Sequence, residues 1–335
     1  MSTLIKKSLK KENPIWLMRQ AGRYLPEYQR ARKKQKNFLK FCLNIKAATK
    51  VTLQPIKRYN FDAAIIFSDI LIIPYGIGQE VKFEESIGPI LGEPNLKLYQ
   101  QTKKGKFIKK IKNVYKIIKN TRKKLNKNKS LIGFVGSPWT ILVYVLNKRS
   151  PKETSVCKKI IKNKQSKQFL KIIEKFIYIH IEQQIKAGVD TIQLFDSWAG
   201  LLNKKDLNYF CFQPTKRIIT KVRKKYPHIP IICFPKGIKT SIKEFCKIVK
   251  PNVLSIDSEI NPNFILKEID PNIIIQGGMS PGFLFKRKSQ MQNKIKFYLN
   301  KFKNRAYIFN LGHGVPKETK TSTIQNLVNT VRNFK

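Results

Sequence analysis

"DAAIIFSD" occupies Asp62 to Asp69, an unbroken apolar run held between two aspartates. A strand with one wet face would alternate apolar and polar residues. Continuous Ala, Ile and Phe instead mark a strand covered on both faces, as in a parallel sheet flanked by helices. The pattern recurs in "LIGFVGS" from Leu131, "DTIQLFDS" from Asp190, "IPIICFP" from Ile229, "NVLSID" from Asn252, "NIIIQGG" from Asn272 and "AYIFNLGHG" from Ala306. Longer Lys-rich stretches lie between these runs. In one, Lys167 to Lys186, the residues Phe169, Ile172, Ile173, Phe176, Ile177 and His180 form a helical stripe. Asn44 reads as the cap of the helix that precedes the first strand. The series predicts seven strands of a βα repeat, with no eighth evident. "IIPYGIGQEVKFEESIGPIL", residues 72–91, reads as a hairpin inserted after the first strand. No strand leads into a G-x-G-x-x-G turn, and no Pro/Ser-rich linker divides the chain. The expected fold is therefore α/β, a single (β/α)8 TIM-type barrel over residues 1–335 with an inserted hairpin.

Composition narrows the possible partners. No apolar run reaches the roughly 18–20 residues that span a bilayer, and "MSTLIKKSLKKENP" has no apolar core of a secretory signal. Cys42, Cys157, Cys211, Cys233 and Cys246 are scattered and odd in number, which suits reduced, packed thiols in a cytoplasmic compartment. The net charge of +48 invites a nucleic-acid reading. However, the lysines run along the whole chain beside many Asn and Ile residues, the profile of an A/T-biased genome. No basic stretch interleaves with aromatics as a stacking platform requires, so neither nucleic acid nor membrane is expected as a partner. The charge does create a field that attracts anionic ligands.

In such a barrel the chemistry sits at the C-terminal ends of the strands. Those ends supply Asp69, Ser137, Asp196, Ser197, Lys236, Asp257, Ser280 and His313. Ser137 before Pro138, and Asp257 before Ser258, read equally well as helix caps. Asp69 is enclosed by apolar sequence on both sides, and a buried carboxylate is costly unless something neutralises it. His313 lies between Gly312 and Gly314, where bare backbone permits close approach of a ligand. His180 and His228 read as structural or exposed. No His or Cys spacing suggests a metal site, and Ser137 lacks a G-x-S-x-G elbow. "PIWLMRQAGRYLPEY", residues 14–28, places Arg19 and Arg23 four apart. On a helix these two would repel each other. Gly22 weakens any helix there, and Pro26 is expected to end or kink it. An arginine pair, a buried carboxylate and a few neutral hydrogen-bonding groups suit a polyanionic substrate that carries its own electron sink.

"MRQAGRYLPEY", "TLQPIKRYNFDAAIIFSDILIIP", "GFVGSPWTILVY", "QLFDSWAG" and "FNLGHGV" resemble, in order, segments of the uroporphyrinogen decarboxylase family, from Met18 to Val315. The resemblance implies a cytosolic (β/α)8 barrel, usually a homodimer, with no metal or prosthetic group. The implied reaction removes carbon dioxide from the four acetates of uroporphyrinogen III to give coproporphyrinogen III in haem synthesis. Residue by residue, it makes Arg19, Gln20, Ala21, Gly22 and Arg23 the substrate-binding segment. Asp69 becomes the carboxylate that meets the pyrrole N–H groups, and Arg19 a candidate acid. Tyr144, Ser197 and His313 become contacts to substrate side chains, and Arg32 matches a further family arginine. "QGGMSP" at 276–281 departs from the family's Q-G-N-[LM]-D-P at Gly278 and Ser280, and Trp198 stands where other members carry a smaller residue or His. Two alternatives differ in kind. One is a related barrel methyltransferase acting on a cobalamin-linked methyl group, whose zinc-binding His/Cys cluster is missing here. The other is a basic nucleic-acid-binding protein.

Overall fold

The computed structural model describes residues 2–35, 37–84, 87–151 and 153–334. Among the described residues nine strands form: β1 Ala63–Ile65, β2 Val81–Glu84, β3 Gly88–Leu91, β4 Ser130–Gly136, β5 Thr191–Asp196, β6 Ile231–Pro235, β7 Val253–Ile256, β8 Ile274–Gly277 and β9 Tyr307–Ile308. Seven of them make one curled parallel sheet in the order β1-β4-β5-β6-β7-β8-β9, the architecture of a TIM-barrel-like fold. Each expected strand is present, and all but β4 are shorter than their apolar runs. The first keeps only Ala63–Ile65 of Asp62–Asp69, because Ile66 and Phe67 remain buried as the chain turns out of the sheet.

The N-terminal segment joins the two edges of this sheet. Ile15 forms a parallel bridge with Phe309, whose N–H donates to Pro14 O at 2.8 Å, and the Asp62 N–H donates to Ile15 O at 2.9 Å. The Asp62 carboxylate secures the junction. It accepts from the Ile15 N–H at 2.7 Å and pairs with Lys7 at 2.8 Å and Arg332 at 2.7 Å. Removing a buried carboxylate paired in this way typically costs about 3–5 kcal/mol.

Alternation along the strands sorts two apolar sets. Ala63 and Ile65, Ile232 and Phe234, with Val253, Ile274 and Ile308, pack with Trp16 and Met18 inside the curl. Leu4 and Ile5 of the helix Thr3–Leu9 complete that cluster, and the Leu4 N–H donates to Ser130 Oγ at the start of β4, so this helix covers the N-terminal end. The intervening residues, among them Ala64, Leu194, Cys233 and Leu254, face the surrounding helices. Each large side chain so buried stabilises the fold by about 1.5–3 kcal/mol. The helix Ser166–Ala187 buries Phe169, Ile173, Phe176, Ile177 and His180, and the His180 ring is bonded to the Tyr115 hydroxyl at 3.0 Å, a structural role. Asn44 caps the helix Ile45–Tyr59 by accepting the Ala47 N–H at 3.0 Å.

Three local expectations are corrected. Residues 72–91 are not hairpin throughout: the helix Ile72–Ile77 takes the first part, and only β2 and β3 pair antiparallel. The tip, residues 85–86, lies outside the described residues. Pro26 neither ends nor kinks a helix within residues 14–28. The chain is irregular up to Leu25, and Pro26 begins the helix Pro26–Lys33, where its missing N–H costs nothing. Ser137 precedes the helix Pro138–Asn147 without capping it through its side chain. All five cysteines are buried free thiols, and among the described residues no helix is long and apolar enough to cross a membrane.

Candidate active site

The segment Leu17 to Leu25 crosses the C-terminal ends of the strands and is pinned on both sides. Asn310 Oδ1 accepts the Met18 N–H at 3.0 Å, and the Val315 N–H donates to Met18 O at 2.9 Å. Gln20 is fully buried. Its side chain accepts the Leu17 N–H at 3.1 Å and donates to Ala63 O at 3.0 Å, while its own carbonyl accepts the Tyr24 hydroxyl at 3.0 Å. Between these anchors Arg19 adopts φ 60, a left-handed conformation costing of order 1–2 kcal/mol for a residue with a Cβ. Neighbouring bonds hold it there, and its side chain is exposed. Arg19 and Arg23 are both exposed, and among the described residues neither guanidinium makes an ion pair. Ala21 and Gly22 are half-buried between them, and a Cβ on Gly22 would lie 2.7 Å from Arg19 O. Arg32, on the following helix, is held over the Phe38 ring at 5.9 Å and donates to Gln35 O.

Asp69 follows β1 at the same end. The residue keeps some accessible surface, but its carboxyl lies deep in the mouth, with one oxygen accepting the Leu71 N–H at 2.8 Å. Loss of solvation pushes its pKa from 3.8 up to about 6, against the smaller opposing effects of that N–H and of Arg19. Tyr144, on the helix after β4, is buried, with its hydroxyl 3.3 Å from Ser150 Oγ and its ring 6.1 Å from that of Trp198. Burial, and then the Asp69 charge, raise its pKa, so the phenol stays protonated and can donate. His313 is half-buried, and loss of solvation, then Lys236, then Arg19 lower its pKa to about 4. Its ring is neutral at pH 7. Arg19 thus acts on Asp69, Tyr144 and His313 together, which places these groups around one mouth.

The glycines beside His313 serve the protein itself. A Cβ on Gly312 would lie 2.9 Å from the Asp257 carbonyl carbon. On Gly314 it would collide with Arg19 Cδ and lie 2.7 Å from Arg19 Cγ. Bare backbone there lets the arginine stem lie across the His313 loop.

Ser197 is half-buried directly after β5. Its neighbour Asp196 is buried and accepts from Thr140 Oγ1 at 2.6 Å, and Thr140 in turn accepts the Trp198 N–H at 3.2 Å. Burial pushes the Asp196 carboxyl up to about 6. Asp196 therefore orients the turn that presents Ser197, and Thr140 is a partner with no signature in the sequence. Asp257 accepts the Gly237 N–H at 2.7 Å and the Glu259 N–H at 3.0 Å, tying two loops together rather than capping a helix. Ser280 caps the short turn Pro281–Phe285 by accepting the Gly282 N–H at 3.3 Å. Gly278 has φ 99, and a Cβ there would lie 2.7 Å from Tyr298 Cε1, which accounts for glycine at this position. His228 is exposed away from these groups.

Two unpaired guanidinium groups, one reluctant carboxylate, a protonated phenol and a neutral imidazole can bind carboxylates and stabilise a cation between them. Among the described residues no group of three His, Cys, Asp or Glu side chains converges as a metal site would. A second concavity, lined by Lys288, Gln292, Lys296 and Asn326 among others, lies between two outer helices and offers amides, lysines, one threonine and a phenylalanine, with no carboxylate.

Comparison with known proteins bears on this arrangement. The sequence model of the family described as Uroporphyrinogen decarboxylase (URO-D) matches residues 3–334. The uroporphyrinogen decarboxylase of Rickettsia felis is 43% identical over 326 residues, covering 95% of this chain and 92% of the relative. That of Rickettsia bellii is 43% identical over 335 residues, covering 98% and 97%. Among solved structures, a methyltransferase from Methanosarcina mazei superposes with a TM-score of 0.76 over 99% of this chain and 98% of its own, at 15% identity. A B12-independent methionine synthase from a Shewanella species gives 0.53 over 85% and 84%, at 10% identity. These two likenesses are of fold alone.

Proposed function

Since the chain belongs to the uroporphyrinogen decarboxylase family, we propose that the strand-end mouth is where its substrate binds and reacts. The activity is that of a carboxy-lyase, the decarboxylation of the acetate side chains of uroporphyrinogen III in haem biosynthesis. The observation that carries the assignment of the site is that Arg19, exposed and without an ion pair among the described residues, acts on a carboxylate held above its ordinary pKa in the same mouth, with Arg23 four residues on in the same segment.

An acetate on a pyrrole cannot release carbon dioxide until the bonding electrons have somewhere to go. Protonation of the adjacent ring carbon makes a cationic iminium, which accepts them. The carbon–carboxyl bond breaks, an enamine forms, its exocyclic carbon takes a proton to become methyl, and the ring carbon returns its proton. Asp69 accepts the pyrrole N–H groups and places negative charge beneath the developing cation, in a site where such preorganised charge is usually the largest catalytic contribution. Bound against the cation, its carboxylate is held ionised. Arg19 and Arg23 grip substrate carboxylates in paired hydrogen bonds, and Arg19, nearest Asp69 and His313, is the candidate acid. A guanidinium releases a proton poorly, so Arg19 in that role would act on substrate directly at its side. Tyr144 and Ser197 donate to side-chain carboxylates, and His313 does so through a neutral ring N–H. Gln20, with both ends of its amide engaged by the fold, acts by positioning Arg19. The junction at Ile15 completes the sheet as the eighth stave of a closed (β/α)8 barrel, the whole chain being one domain with β2 and β3 as its inserted hairpin. We place the enzyme in the cytoplasm as a homodimer without a resident cofactor. Anaerobic incubation with uroporphyrinogen III, followed by separation of the oxidised porphyrins, tests the reading. The expected result is stepwise passage from eight carboxylates to four, and retention of all eight overturns it.

A further inference from the structure

Lys236 is a cation in the mouth that the mechanism above leaves without work. It follows β6, the middle strand of the seven, while the edge strands β1 and β9 meet the segment that carries Arg19. Lys236 therefore stands across the mouth from Arg19 and Arg23. Its backbone is fixed: its N–H donates to Asp196 O at 3.1 Å, its carbonyl accepts the Gly200 N–H at 2.9 Å, and Gly237, at φ 78, donates to Asp257 at 2.7 Å. A Cβ on Gly200 would lie 2.7 Å from Gly237 Cα, so the root of the lysine stem is set by tight backbone packing. Elsewhere, buried carboxylates hold their lysines, as Asp62 holds Lys7 and Glu182 holds Lys104 and Lys225. Lys236 is half-buried, yet among the described residues its ammonium meets neither a carboxylate nor a hydrogen-bond acceptor. A charge partly withdrawn from water without a partner is unfavourable unless a ligand supplies one. The charge of Lys236 acts on His313, as that of Arg19 does, which puts the lysine beside the same mouth.

We infer that Lys236 is a substrate-contacting residue, whose ammonium takes a carboxylate of the macrocycle on the side opposite Arg19 and Arg23. The inference rests on the reading that the ligand is a polycarboxylate tetrapyrrole. Gripped from both sides, the ring is held in register over Asp69. A lysine suits this side, because a point charge on a flexible stem follows carboxylates that change position as the ring turns between successive reactions, whereas a planar guanidinium demands one geometry.

The test compares Lys236→Gln, Lys236→Glu and Lys236→Arg with the exposed control Lys303→Gln, which removes the same charge at the opposite end of the sheet. KM for uroporphyrinogen III and anaerobic equilibrium binding of the product coproporphyrinogen III are both measured. Lys236→Gln should raise KM and weaken product binding about tenfold, Lys236→Glu should do more, Lys236→Arg less, and Lys303→Gln should change neither beyond twofold. Lys236→Met, which keeps the stem, replaces the Gln variant if that one fails to fold. KM and product binding within twofold of wild type in both the Gln and Glu variants would overturn the inference, as would an equal loss in Lys303→Gln. Product binding by the wild type without any turnover would instead sink the functional reading, and the binding arm would still decide on Lys236.

Discussion

Asp69→Asn is the most demanding perturbation, because it keeps shape and removes charge. The amide oxygen can still accept the Leu71 N–H at 2.8 Å, so the turn after β1 is preserved. With its pKa raised to about 6, the free carboxyl is about nine-tenths ionised at pH 7. A carboxylate about 4 Å from a unit positive charge, at an effective dielectric constant of about 20, supplies about 4 kcal/mol, or about three orders of magnitude in rate. The amide dipole returns part of this, so the expected loss is at least about a hundredfold, in kcat more than in KM. Wild-type kcat/KM should fall as pH drops through about 6, where the carboxyl protonates, and the variant should lose that acid limb. Asp69→Glu should also suffer, since one methylene displaces the carboxylate by about 1 Å. Stability moves the other way. A carboxyl whose folded pKa is raised favours the folded state only while protonated, so wild type loses stability relative to Asp69→Asn as pH rises from about 4 to about 6. Steady-state kinetics across pH, with thermal melting as the folding control, measures all of this. A folded Asp69→Asn protein with near-normal turnover would refute the electrostatic role.

Substitutions at two further positions probe the arginines. Arg23→Ala removes an exposed, unpaired guanidinium and should raise KM about tenfold with little change in kcat, and Arg23→Lys should recover only part because it cannot form the planar fork. Full activity in Arg23→Ala would dismiss the clamp. Gly314→Ala drives a methyl group into the Arg19 stem, so it should fold normally, with melting unchanged, and lose about tenfold or more in kcat/KM by displacing that guanidinium. Unchanged kinetics would mean that the position of Arg19 is unimportant.

Most strands could be read in the sequence because burial on both faces leaves an apolar run that periodicity detects, as in Ile231–Pro235 and Val253–Ile256. The junction at Ile15 could not. It is a single bridge beside a proline, its inward residues are Trp16 and Met18, and its nearest loud signal is the arginine pair. That Arg19 and Arg23 sit on a poor helix former was legible, but the conformation taken instead was not, since φ 60 at Arg19 is imposed by Asn310, Val315 and Ala63, all remote in sequence. Asp69 was legible because a carboxylate inside apolar sequence is anomalous on its own. Gly312 and Gly314 read as room for a ligand, but space for a ligand and space for an arginine stem leave the same residue behind. Lys236 was recognisable only as a polar strand end, one lysine in a chain dense with them, until the fold showed it without a partner among the described residues.

The central claim is that this mouth decarboxylates acetates by protonating the tetrapyrrole carbon framework. Anaerobic turnover of uroporphyrinogen III in D2O, with the methyl groups of the product read by mass spectrometry and NMR, tests it most directly. The account predicts a tetracarboxylate product in which each new methyl group carries one solvent deuterium. A product that keeps its acetates, or new methyl groups free of deuterium, would contradict it.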